Sequence, residues 1–427
     1  MMRSLYSGVS GLRVHQTKMD VIGNNIANVN TVGFKASRAT FSELFYQTTQ
    51  AAAGPDEDTG TGGQNAKQIG LGASLNAIDV DITSEGGTQT TNRPFDLKIN
   101  GDAFFIVETG GADYFTKAGN FRTDEDGNLV TDTGAYVKGY VAEYPGAELQ
   151  TDELRTLSVY GEKYTNSDPE ATSQISFFGN INAEDANFAN GKPITRYLYV
   201  YDNLGYQYGV QVQITKSDDD TYSVSANGVY SGTKKVDELT ANISGDLKFD
   251  PETGKLEKTV FDLSITGKES FTVDQIKVDF SNVTKYGTET TLDCQKGGYD
   301  GSGTGKMVGT MTSVGINSAG EIVAAYDNGD NEVIGQLAVT TFVNPSGLEK
   351  IGNNLFKATL NSGEFTGLGE SIVSTGGTIS SGTLEMSNVD LASEFTDMIV
   401  TQRGFQANSR IITTSDSMIE ELLSLKR

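Results

Sequence analysis

Apolar residues recur every seven positions at both ends of the chain, and this spacing constrains the fold more than any other feature. Seven residues are close to two turns of α-helix, so each apolar stripe lies along one face of a helix. Two helices that each carry such a stripe favour pairing as a coiled coil. The stripe residues are Leu5, Leu12, Met19 and Ile26, widened by Val9, near the N-terminus, and Leu391, Met398, Phe405, Ile412 and Ile419 near the C-terminus.

The segment from Val389 to Arg427 is predicted to be one long helix, because it contains no proline and its single glycine is Gly404. At 1.5 Å per residue such a helix is roughly 55 Å long. Asn388 or Asp390 is expected to cap its start. Two amphipathic helices packed separately on a globular body are the alternative to a coiled coil, and the periodicity alone leaves that alternative open.

From Phe95 onward the pattern changes to the period of two that is typical of β-strands. Phe95, Leu97 and Ile99 alternate with charged residues, and Asn100-Gly101 before Phe104 predicts a hairpin with a type I′ turn. Further strands are expected at 137–141, around 316, at 322–323 and at 333–342, with turns at 126–128, 319–320 and 328–329.

Residues 148–310 contain short candidate strands separated by turn residues, which predicts an antiparallel β-domain inserted into the chain. Its clearest strands are expected at Tyr197–Tyr201, Val210–Ile214, Thr221–Val224 and Phe271–Phe280. The predicted fold class is α+β, with long N- and C-terminal helices paired as a coiled coil and nested antiparallel β domains inserted between them. The predicted divisions are an inner coiled-coil domain (1–30 and 385–427), a linker or arm (31–70), an inner β domain (71–146 and 306–384) and an outer inserted β domain (147–305).

Charge and residue usage exclude several classes of function. Acidic residues outnumber basic ones by 56 to 32, so the net charge of −24 argues against nucleic acid and anionic membranes as partners. The single cysteine, Cys294, excludes an intrachain disulfide, and the single histidine, His15, argues against His-dependent triads and multi-His metal sites. We find no cleaved Sec-type signal after Arg3 and no apolar run that is long enough to insert into a membrane.

Motif-like stretches fail when their spacing is checked, and we predict no catalytic, cofactor-binding or metal-binding residue. An EF-hand loop with Gly127 at its sixth position would place Thr133 where a carboxylate is needed. The glycine-rich run 301–306 lacks the Ser or Thr of a Walker loop, because Met307 follows Lys306. Lys296 is expected at most to lower the pKa of the Cys294 thiol, and an unreactive thiol is the simpler interpretation.

Several longer motifs resemble the signatures of the bacterial flagellar axial proteins, the rod and hook group. The N-terminal motif spans Ser7–Leu12 and Asn24–Lys35, and the C-terminal motif spans Gln402–Asn408. The signature residues are Asn24, Asn25, Asn28, Thr31, Gly33, Phe34, Gln402, Arg403, Gln406 and Asn408. Further matching segments are 68–72, 101–107, 115–121, 335–344, 347–348 and 352–354.

Within this group the central insertion resembles that of the hook members more than the shorter rod members. The segments Phe178–Asn182 and Val200–Gly205 are similar to motifs of the hook's outer domain. Two alternatives stay open: a distal rod-like axial subunit, and a secreted β-rich adhesin or glycan-active enzyme that uses Asp218, Asp219 and Asp220. These three carboxylates are contiguous, so their side chains diverge on a strand, and a solvated turn explains them better.

The resemblance implies a structural, non-enzymatic subunit that needs no cofactor and forms a hollow, curved, bendable tube outside the cell. In that family the terminal helices line the export channel and carry self-assembly, which assigns this role to the stripe residues named above. The implied partners are other copies of the chain, the distal rod protein, the hook cap, the hook–filament junction protein and the flagellar type III export apparatus. Neither nucleic acid nor membrane insertion is implied.

Hinges are expected where the chain passes between the predicted layers of the tube. Glycine backbone absorbs dihedral changes that other residues resist. The candidate hinge residues are Pro145 and Gly146 on the outward passage and Gly297, Gly298, Gly301, Gly303 and Gly305 on the return.

Overall fold

A computed structural model describes residues 2–55, 60, 62–218, 221–243, 245–257, 259–267 and 276–425. The chain forms two compact units, and each contains segments that are distant in sequence. The first unit comprises Met1–Gly161, Val314–Val323 and Val333–Arg427, and the second comprises Glu162–Ser313 and Ala324–Glu332. The boundary at Gly161 differs from the predicted boundary at 146, and the four-part division of the sequence stays a prediction. Asp219, Asp220 and residues 271–275 of one expected strand lie outside the described residues.

The described residues form three α-helices, α1 (Met2–Ala27), α2 (Ala186–Ala189) and α3 (Leu391–Ser424), and two 3₁₀-helices (Glu162–Tyr164 and Pro345–Gly347). The predicted cap at Asp390 is confirmed, because its carboxylate accepts a hydrogen bond of 3.0 Å from the amide of Ala392. The other candidate cap, Asn388, instead accepts a hydrogen bond from the amide of Ala36 at 2.8 Å. The terminal helices predicted from the heptads are therefore present in the fold.

Strands make up most of the remaining described chain. In the first unit they begin with β1 (Ser37–Glu43), β2 (Tyr46–Gln50), β3 (Lys67–Gly70), β4 (Ala73–Val80), β5 (Thr88–Thr90), β6 (Leu97–Asn100), β7 (Phe104–Thr109), β8 (Ala112–Thr116), β9 (Phe121–Thr123), β10 (Leu129–Thr131), β11 (Tyr136–Ala142) and β12 (Leu149–Thr156). In the second unit they are β13 (Asn166–Ser167), β14 (Gln174–Asn180), β15 (Ile194–Tyr201), β16 (Gln207–Asp218), β17 (Thr221–Ser231), β18 (Lys234–Lys235), β19 (Thr240–Ile243), β20 (Gly245–Lys248), β21 (Val260–Thr266), β22 (Ile276–Thr284) and β23 (Asp293–Lys296). The last strands are β24 (Gly309–Ile316), β25 (Glu321–Tyr326), β26 (Asn331–Thr340), β27 (Glu349–Gly352), β28 (Leu355–Lys357), β29 (Glu370–Ser371), β30 (Thr378–Ser381) and β31 (Thr383–Glu385).

Strand β7 is the centre of the first unit's main sheet, where it pairs with β8, β11 and β26. Its residues Phe104 to Val107 are fully buried, so both faces of the strand are covered. The ring of Phe104 lies edge-on to the rings of Phe342 and Phe356, at centroid distances of 5.8 and 6.0 Å. This aromatic cluster supplies the apolar core that the alternating sequence pattern predicts.

The hairpin predicted at Asn100-Gly101 is wrong, because β6 pairs with β30 from the C-terminal half of the chain. Ile99 lies opposite Ile379 in this antiparallel pair. Leu97, Lys98 and Ile99 are all buried, so β6 lies in the interior of the first unit and other residues pack on both of its faces. The turns predicted at 126–128 and 319–320 are confirmed, with Gly127 and Gly320 at φ of 78° and 77°.

The segment predicted as a linker or arm forms a two-stranded antiparallel ribbon. β1 pairs with β4 from Ser37 opposite Val80 to Glu43 opposite Ala73. β2 and β3 continue the ribbon, with Tyr46 opposite Gly70. Large apolar side chains on the ribbon are exposed to solvent: Phe41, Phe45, Tyr46, Ile69, Leu75 and Ile78.

The second unit contains two sheets whose inner faces share one apolar core. Their described strand orders are β19-β21-β22-β14-β23 and β15-β16-β17-β18, with β20 beside β17. Phe177 stacks on Phe280 at a centroid distance of 4.4 Å in this core. The expectation of a purely antiparallel domain is wrong, because β14 and β22 run parallel, with Gln174 opposite Lys277.

Neither group of candidate hinge residues lies at a passage between the units. Pro145 and Gly146 lie in the turn between β11 and β12, which is closed by a hydrogen bond from the Ala147 amide to the Tyr144 carbonyl. The loop 297–305 lies inside the second unit, where the amide of Ser173 donates to the carbonyl of Gly303 at 3.1 Å. The hinge assignment stays a prediction, and the first passage of the chain between the units is at Gly161.

A buried lysine in the first unit links the fold to pH. The ammonium group of Lys117 donates to the Gly101 carbonyl at 2.7 Å and lies 5.0 Å from the centre of the Phe104 ring. Burial, followed by the nearby positive charge of Lys35, lowers the pKa of Lys117 to about 8. The ammonium group of Lys350 lies over the Phe34 ring and donates to the Lys35 carbonyl at 2.7 Å, and its desolvation also lowers the pKa of Lys350 to about 8.

We predict that the first unit becomes more stable as the pH rises from about 8 to about 9.5. The unfolded chain keeps these lysine protons up to its ordinary pKa near 10.5, while the folded chain releases them near 8. Unfolding therefore takes up protons in this window, and its free energy rises with pH, by about 1–2 kcal/mol for a group this well buried. Calorimetry of Lys117→Met should show a smaller rise in the free energy of unfolding between pH 8 and 9.5 than the native chain shows. Lys357→Met, at an exposed position, should show the same rise as the native chain. A stability that falls over this range, or an unchanged gain in Lys117→Met, would contradict the prediction.

Candidate functional site

The two terminal helices pack antiparallel, and glycines mark their points of closest approach. A Cβ atom placed on Gly8 would lie 3.3 Å from Ile412 Cγ1, and one placed on Gly11 would lie 2.7 Å from Asn408 Nδ2. A Cβ atom on Gly404 would lie 2.6 Å from Cε1 of His15. Residue numbers rise along α1 while those of their partners fall along α3, so the helices run in opposite directions. The glycines bring the two backbones together because they carry no side chains.

Polar side chains also connect the helices. Nδ2 of Asn25 donates to the Glu394 carboxylate at 2.9 Å and to the Ser37 carbonyl at 2.8 Å, while its Oδ1 accepts from the Ser37 amide. Lys18 forms an ion pair of 3.4 Å with Asp397. The signature residue Asn25 therefore joins α1, α3 and the start of the ribbon, and it is almost completely buried.

The line of α3 that faces α1 is polar, which differs from the predicted apolar seam. Glu394, Thr401, Asn408 and Ser415 recur every seven residues, and Thr401 and Ser415 are only 1% and 3% exposed. The hydroxyl of Thr401 and Nδ1 of His15 are buried without a hydrogen-bond partner. Such groups weaken an interface, because a buried polar atom without a partner costs free energy.

The predicted stripe residues flank this polar line and are only partly covered. In α1 the most buried apolar side chains are Val14 and Ile22, and Val14 lies outside the stripe that the heptad predicts. The heptad of polar residues in α3 is the sequence signal that identifies the facing line. Leu5, Leu12, Met19, Ile26, Met398, Ile412 and Ile419 are half-buried, whereas Val9, Leu391 and Phe405 are exposed.

Much of α3 presents large apolar side chains to solvent. Val400 is 60% exposed, and Leu425 is 82% exposed. The register of the helix pair brings the N-terminal end of α1 to the region of Ser417, so the last turns of α3 extend beyond α1. Exposed apolar residues in such number are typical of a surface that another chain covers. This outer surface of α3 comprises Phe395, Ile399, Val400, Phe405, Met418, Leu422, Leu423 and Leu425.

A second apolar surface is a groove of about 540 Å³ between α1 and the ribbon. Gly72 of the ribbon touches α1 so closely that a Cβ atom there would lie 2.1 Å from Oγ of Ser10. This contact explains why the motif at 68–72 ends in glycine. The groove is lined by Tyr6, Val9, Arg13, Leu44, Leu71 and Leu75, among others.

The N-terminal signature forms a buried junction with the segment that precedes α3. The ammonium group of Lys35 lies 2.8 Å from the Glu385 carboxylate, and both side chains are about 1% exposed. The same ammonium donates to the Ser84 carbonyl, and the same carboxylate accepts from the Gly86 amide at 2.9 Å. Two N–H groups of the ammonium and one oxygen of the carboxylate are thus paired inside the protein.

The other N-terminal signature residues shape the segment that connects α1 to this junction. Asn28 donates to the carbonyl of Asn24 at 2.9 Å and accepts from the Thr31 hydroxyl at 3.1 Å, which turns the chain after α1. Gly33 has a φ of 67°, and a Cβ atom there would lie 2.8 Å from the Ala118 amide nitrogen. Phe34 is buried beside them.

The C-terminal signature residues are not gathered at this junction. Gln402, Arg403 and Gln406 are exposed on α3, where Arg403 donates to Gln406 at 3.1 Å. Asn408 lies in the helix pair, where its amide group donates to the Gly404 carbonyl. The N-terminal signature therefore has a visible role in folding, whereas most of the C-terminal signature faces outward.

The described residues contain no group of three or more His, Cys, Asp or Glu side chains arranged to hold a metal ion. No helix within the described ranges is long and apolar enough to cross a membrane. The favoured prediction of an unreactive Cys294 thiol is supported, because burial and then the charge of Asp293 raise its pKa to about 11, whereas the alternative that Lys296 lowers this pKa is wrong. Lys296 instead donates to the Tyr201 hydroxyl at 3.0 Å.

Three family models match separate parts of the chain. The model described as flagella basal body rod protein matches residues 5–35, which include most of α1 and Lys35 of the junction. The D1 domain model of flagellar hook protein FlgE/F/G matches residues 98–175. The model described as flagellar basal body rod FlgEFG protein C-terminal matches residues 380–425, which include α3.

Relatives match the chain over its whole length. It is 34% identical to the flagellar hook protein FlgE of Treponema pallidum and 36% identical to that of Borreliella burgdorferi, with 100% of both chains covered in each case. It is also 32% identical to the flagellar basal-body rod protein FlgG of Bacillus subtilis, again over 100% of both chains. With these full-length identities, and with the terminal helices inside two of the matched regions, the chain belongs to the family of flagellar hook proteins.

Proposed function

We propose that copies of this chain polymerise, through the outer surface of α3 and the groove between α1 and the ribbon, into the hollow tube of the extracellular flagellar hook. The observation that carries the proposal is the arrangement of α3. Its polar line faces α1 within the same chain, while its large apolar side chains point to solvent. Other copies of the chain would cover these exposed apolar side chains.

The energy available from the outer surface of α3 is large enough to drive assembly. A fully buried Leu, Ile or Phe side chain contributes about 1.5–3 kcal/mol, so a half-exposed one gains about 1 kcal/mol when a neighbour covers it. Eight such side chains lie on this surface. Neighbouring copies that cover most of them stabilise the polymer by several kcal/mol per subunit before the entropy of association is subtracted.

The family supports a structural role without catalysis, in a tube that bends while it transmits torque from rod to filament. We propose that α1 and α3 pair as a coiled coil around the central channel and that the second unit lies further from it. The partners proposed with the homopolymer are the distal rod protein, the hook cap, the hook–filament junction protein and the type III export apparatus. A chain with one cysteine suits export in an unfolded state, because no disulfide has to form afterwards.

A distal rod-like subunit is the second candidate function. The full-length identity of 32% to a protein named as a basal-body rod protein favours it. Electron microscopy of cells that lack the gene separates the two. Complete rods that end without a hook support the hook assignment, and rods that stop short support the rod assignment.

We predict that a charge on the outer surface of α3 abolishes assembly without unfolding the chain. Asp at Val400 or Phe405 would place a carboxylate in an apolar contact between copies, at a cost of several kcal/mol. Both side chains are exposed in the single chain, so circular dichroism should stay unchanged. Cells that produce either variant should lack hooks in electron micrographs.

The matched control for this prediction is Thr413→Asp, which adds the same charge at an exposed polar position of α3. It should form hooks of ordinary length. Normal hooks from Val400→Asp and Phe405→Asp together would contradict the proposed surface.

We predict that the terminal helices are cut first when the monomer is treated with trypsin. Arg403 and Arg410 are exposed on α3 and Arg13 is exposed on α1, and the polar contacts between these helices hold them weakly. Lys35 is buried in its ion pair and should resist cleavage. Mass spectrometry should therefore show loss of the helical ends before any cut at Lys35, leaving a β-rich core. Intact ends in a confirmed monomer would show that the helix pair is stable alone.

We predict that the two units move as rigid bodies when the tube bends. The chain passes between the units four times, at 161–162, at 313–314 in β24, at 323–324 in β25 and at 332–333 in β26. Rotation at these passages would leave both apolar cores unchanged, whereas interdigitated core side chains resist sliding. A cryo-EM map of a curved polymer lets subunits around the circumference be compared. The dihedral angles at the four passages should vary, and those at Gly146 and in 297–305 should stay constant. Variation confined to the latter two segments would restore the hinges predicted from the sequence.

A further inference from the structure

The outward face of β15, β16 and β17 in the second unit has an unusual composition. Three tyrosines alternate along β15, and glutamines and small polar residues follow on β16 and β17. The central part of this face carries no charged side chain, although the chain as a whole has a net charge of −24. Charged residues lie at its edges, with Asp218 opposite Thr221, Lys235 opposite Tyr230 and Asp246 opposite Ser223. We call it the tyrosine face, and its residues are Thr195, Tyr197, Tyr199, Tyr201, Gln207, Gly209, Gln211, Gln213, Thr215, Ser223, Ser225 and Tyr230.

Hydrogen bonds hold several of these rings in place before any ligand arrives. Gln211 accepts from the Tyr230 hydroxyl and donates to the Tyr197 hydroxyl, each at 3.3 Å. The rings of Tyr197 and Tyr230 meet edge to face at 6.1 Å. At the end of the face, the ammonium of Lys296 contacts both the hydroxyl and the ring of Tyr201. Such a surface loses little conformational entropy on binding.

Tyr199, at the centre of the row, lies over a glycine. A Cβ atom on Gly209, its cross-strand partner, would lie 3.6 Å from Cε1 of the Tyr199 ring and 3.8 Å from Cδ1. The ring therefore rests over the backbone of β16, and 52% of the side chain is exposed. A Cβ atom at these distances would make ordinary van der Waals contact, so the Tyr199 ring already lies at contact distance from this position of β16.

This combination fits a chain of sugars. The faces of a sugar ring present C–H groups, which are attracted to the electron-rich face of an aromatic ring. Tyrosines at alternate positions of a strand stand about 7 Å apart, so they offer a row of such faces. The amide groups of Gln207 and Gln213 both donate and accept hydrogen bonds, which matches sugar hydroxyls.

The uncharged centre of the face, around Tyr197, Tyr199 and Gln211, favours a neutral ligand over an ionic one. A neutral ligand can approach this face without leaving a buried ion unpaired. The face also contains no Leu, Ile, Val, Met or Phe, and the fully buried centre of a protein interface is normally more apolar than this. A second copy of the chain is therefore the weaker occupant.

We propose that the tyrosine face binds a neutral polysaccharide, with Tyr199 as the central stacking residue. The hook would then carry an adhesive surface in addition to its mechanical role. The binding itself requires only the fold of the second unit, so it can be tested on the full-length monomer independently of polymerisation.

The test is native electrophoresis of the full-length chain in gels that contain hydroxyethylcellulose, glycol chitin or mannan. The native chain should be retarded by at least one of these polymers. Tyr199→Ala should bind about tenfold more weakly, because it loses one stacked ring. Tyr199→Phe keeps the ring and should retain binding, and Tyr144→Ala, at an exposed tyrosine of the first unit, is the matched control.

Three results would overturn the proposal: no retardation in any gel, equal retardation of Tyr199→Ala, or equal loss in Tyr144→Ala. Circular dichroism of each variant separates lost binding from unfolding. If Tyr199→Ala binds polysaccharide normally but forms no hooks, the face is a contact between copies of the chain. Hooks of normal shape together with lost retardation would leave the proposed assembly intact and confirm a separate binding site.

Discussion

The buried ion pair between Lys35 and Glu385 joins the two ends of the chain, and the placement of both terminal helices depends on it. Lys35 follows α1 by eight residues, and Glu385 precedes α3 by six. Removing one member of such a pair typically costs about 3–5 kcal/mol, because the other charge stays buried without a partner. Hydrogen bonds to the backbone at Ser84 and Gly86 add a third segment to the junction. The helices therefore leave the β-structure from one point, and their register is set there.

Beyond this junction, small and polar residues determine the register of the two helices. Gly8, Gly11 and Gly404 allow close approach, and Asn25 and Glu394 connect the ends that lie nearest the junction. These contacts bury little apolar surface, so they define the register without strongly stabilising the pair. The apolar side chains of α3 stay available to other copies. A subunit that buried all of its apolar surface within the single chain would gain less free energy from polymerisation.

The two units have separate apolar cores, and this separation lets their surfaces differ. The first is centred on the rings around Phe104, and the second on Phe177 and Phe280 between two sheets. The second unit therefore holds its outward tyrosines on a rigid sheet whose inner face is fully packed. Assembly and ligand recognition can be served by different parts of one chain, because a change on one surface leaves the other core untouched.

The sequence by itself determined the terminal helices, the cap at Asp390, most of the turns and the family, because these depend on local periodicity, turn chemistry and contiguous motifs. Tertiary structure alone decided which strands pair. Asn100-Gly101 carries the local signal of a hairpin, yet β6 finds its partner in β30, since a strand buried on both faces pairs where the core requires it. The polar line of α3 that faces α1 could not be predicted from the sequence either, because a heptad shows which residues share a face but not which face meets the neighbouring helix. The orientation of the two helices is determined by the glycines at their contact and by the ion pair of Lys35 and Glu385, which joins residues 350 positions apart in the chain.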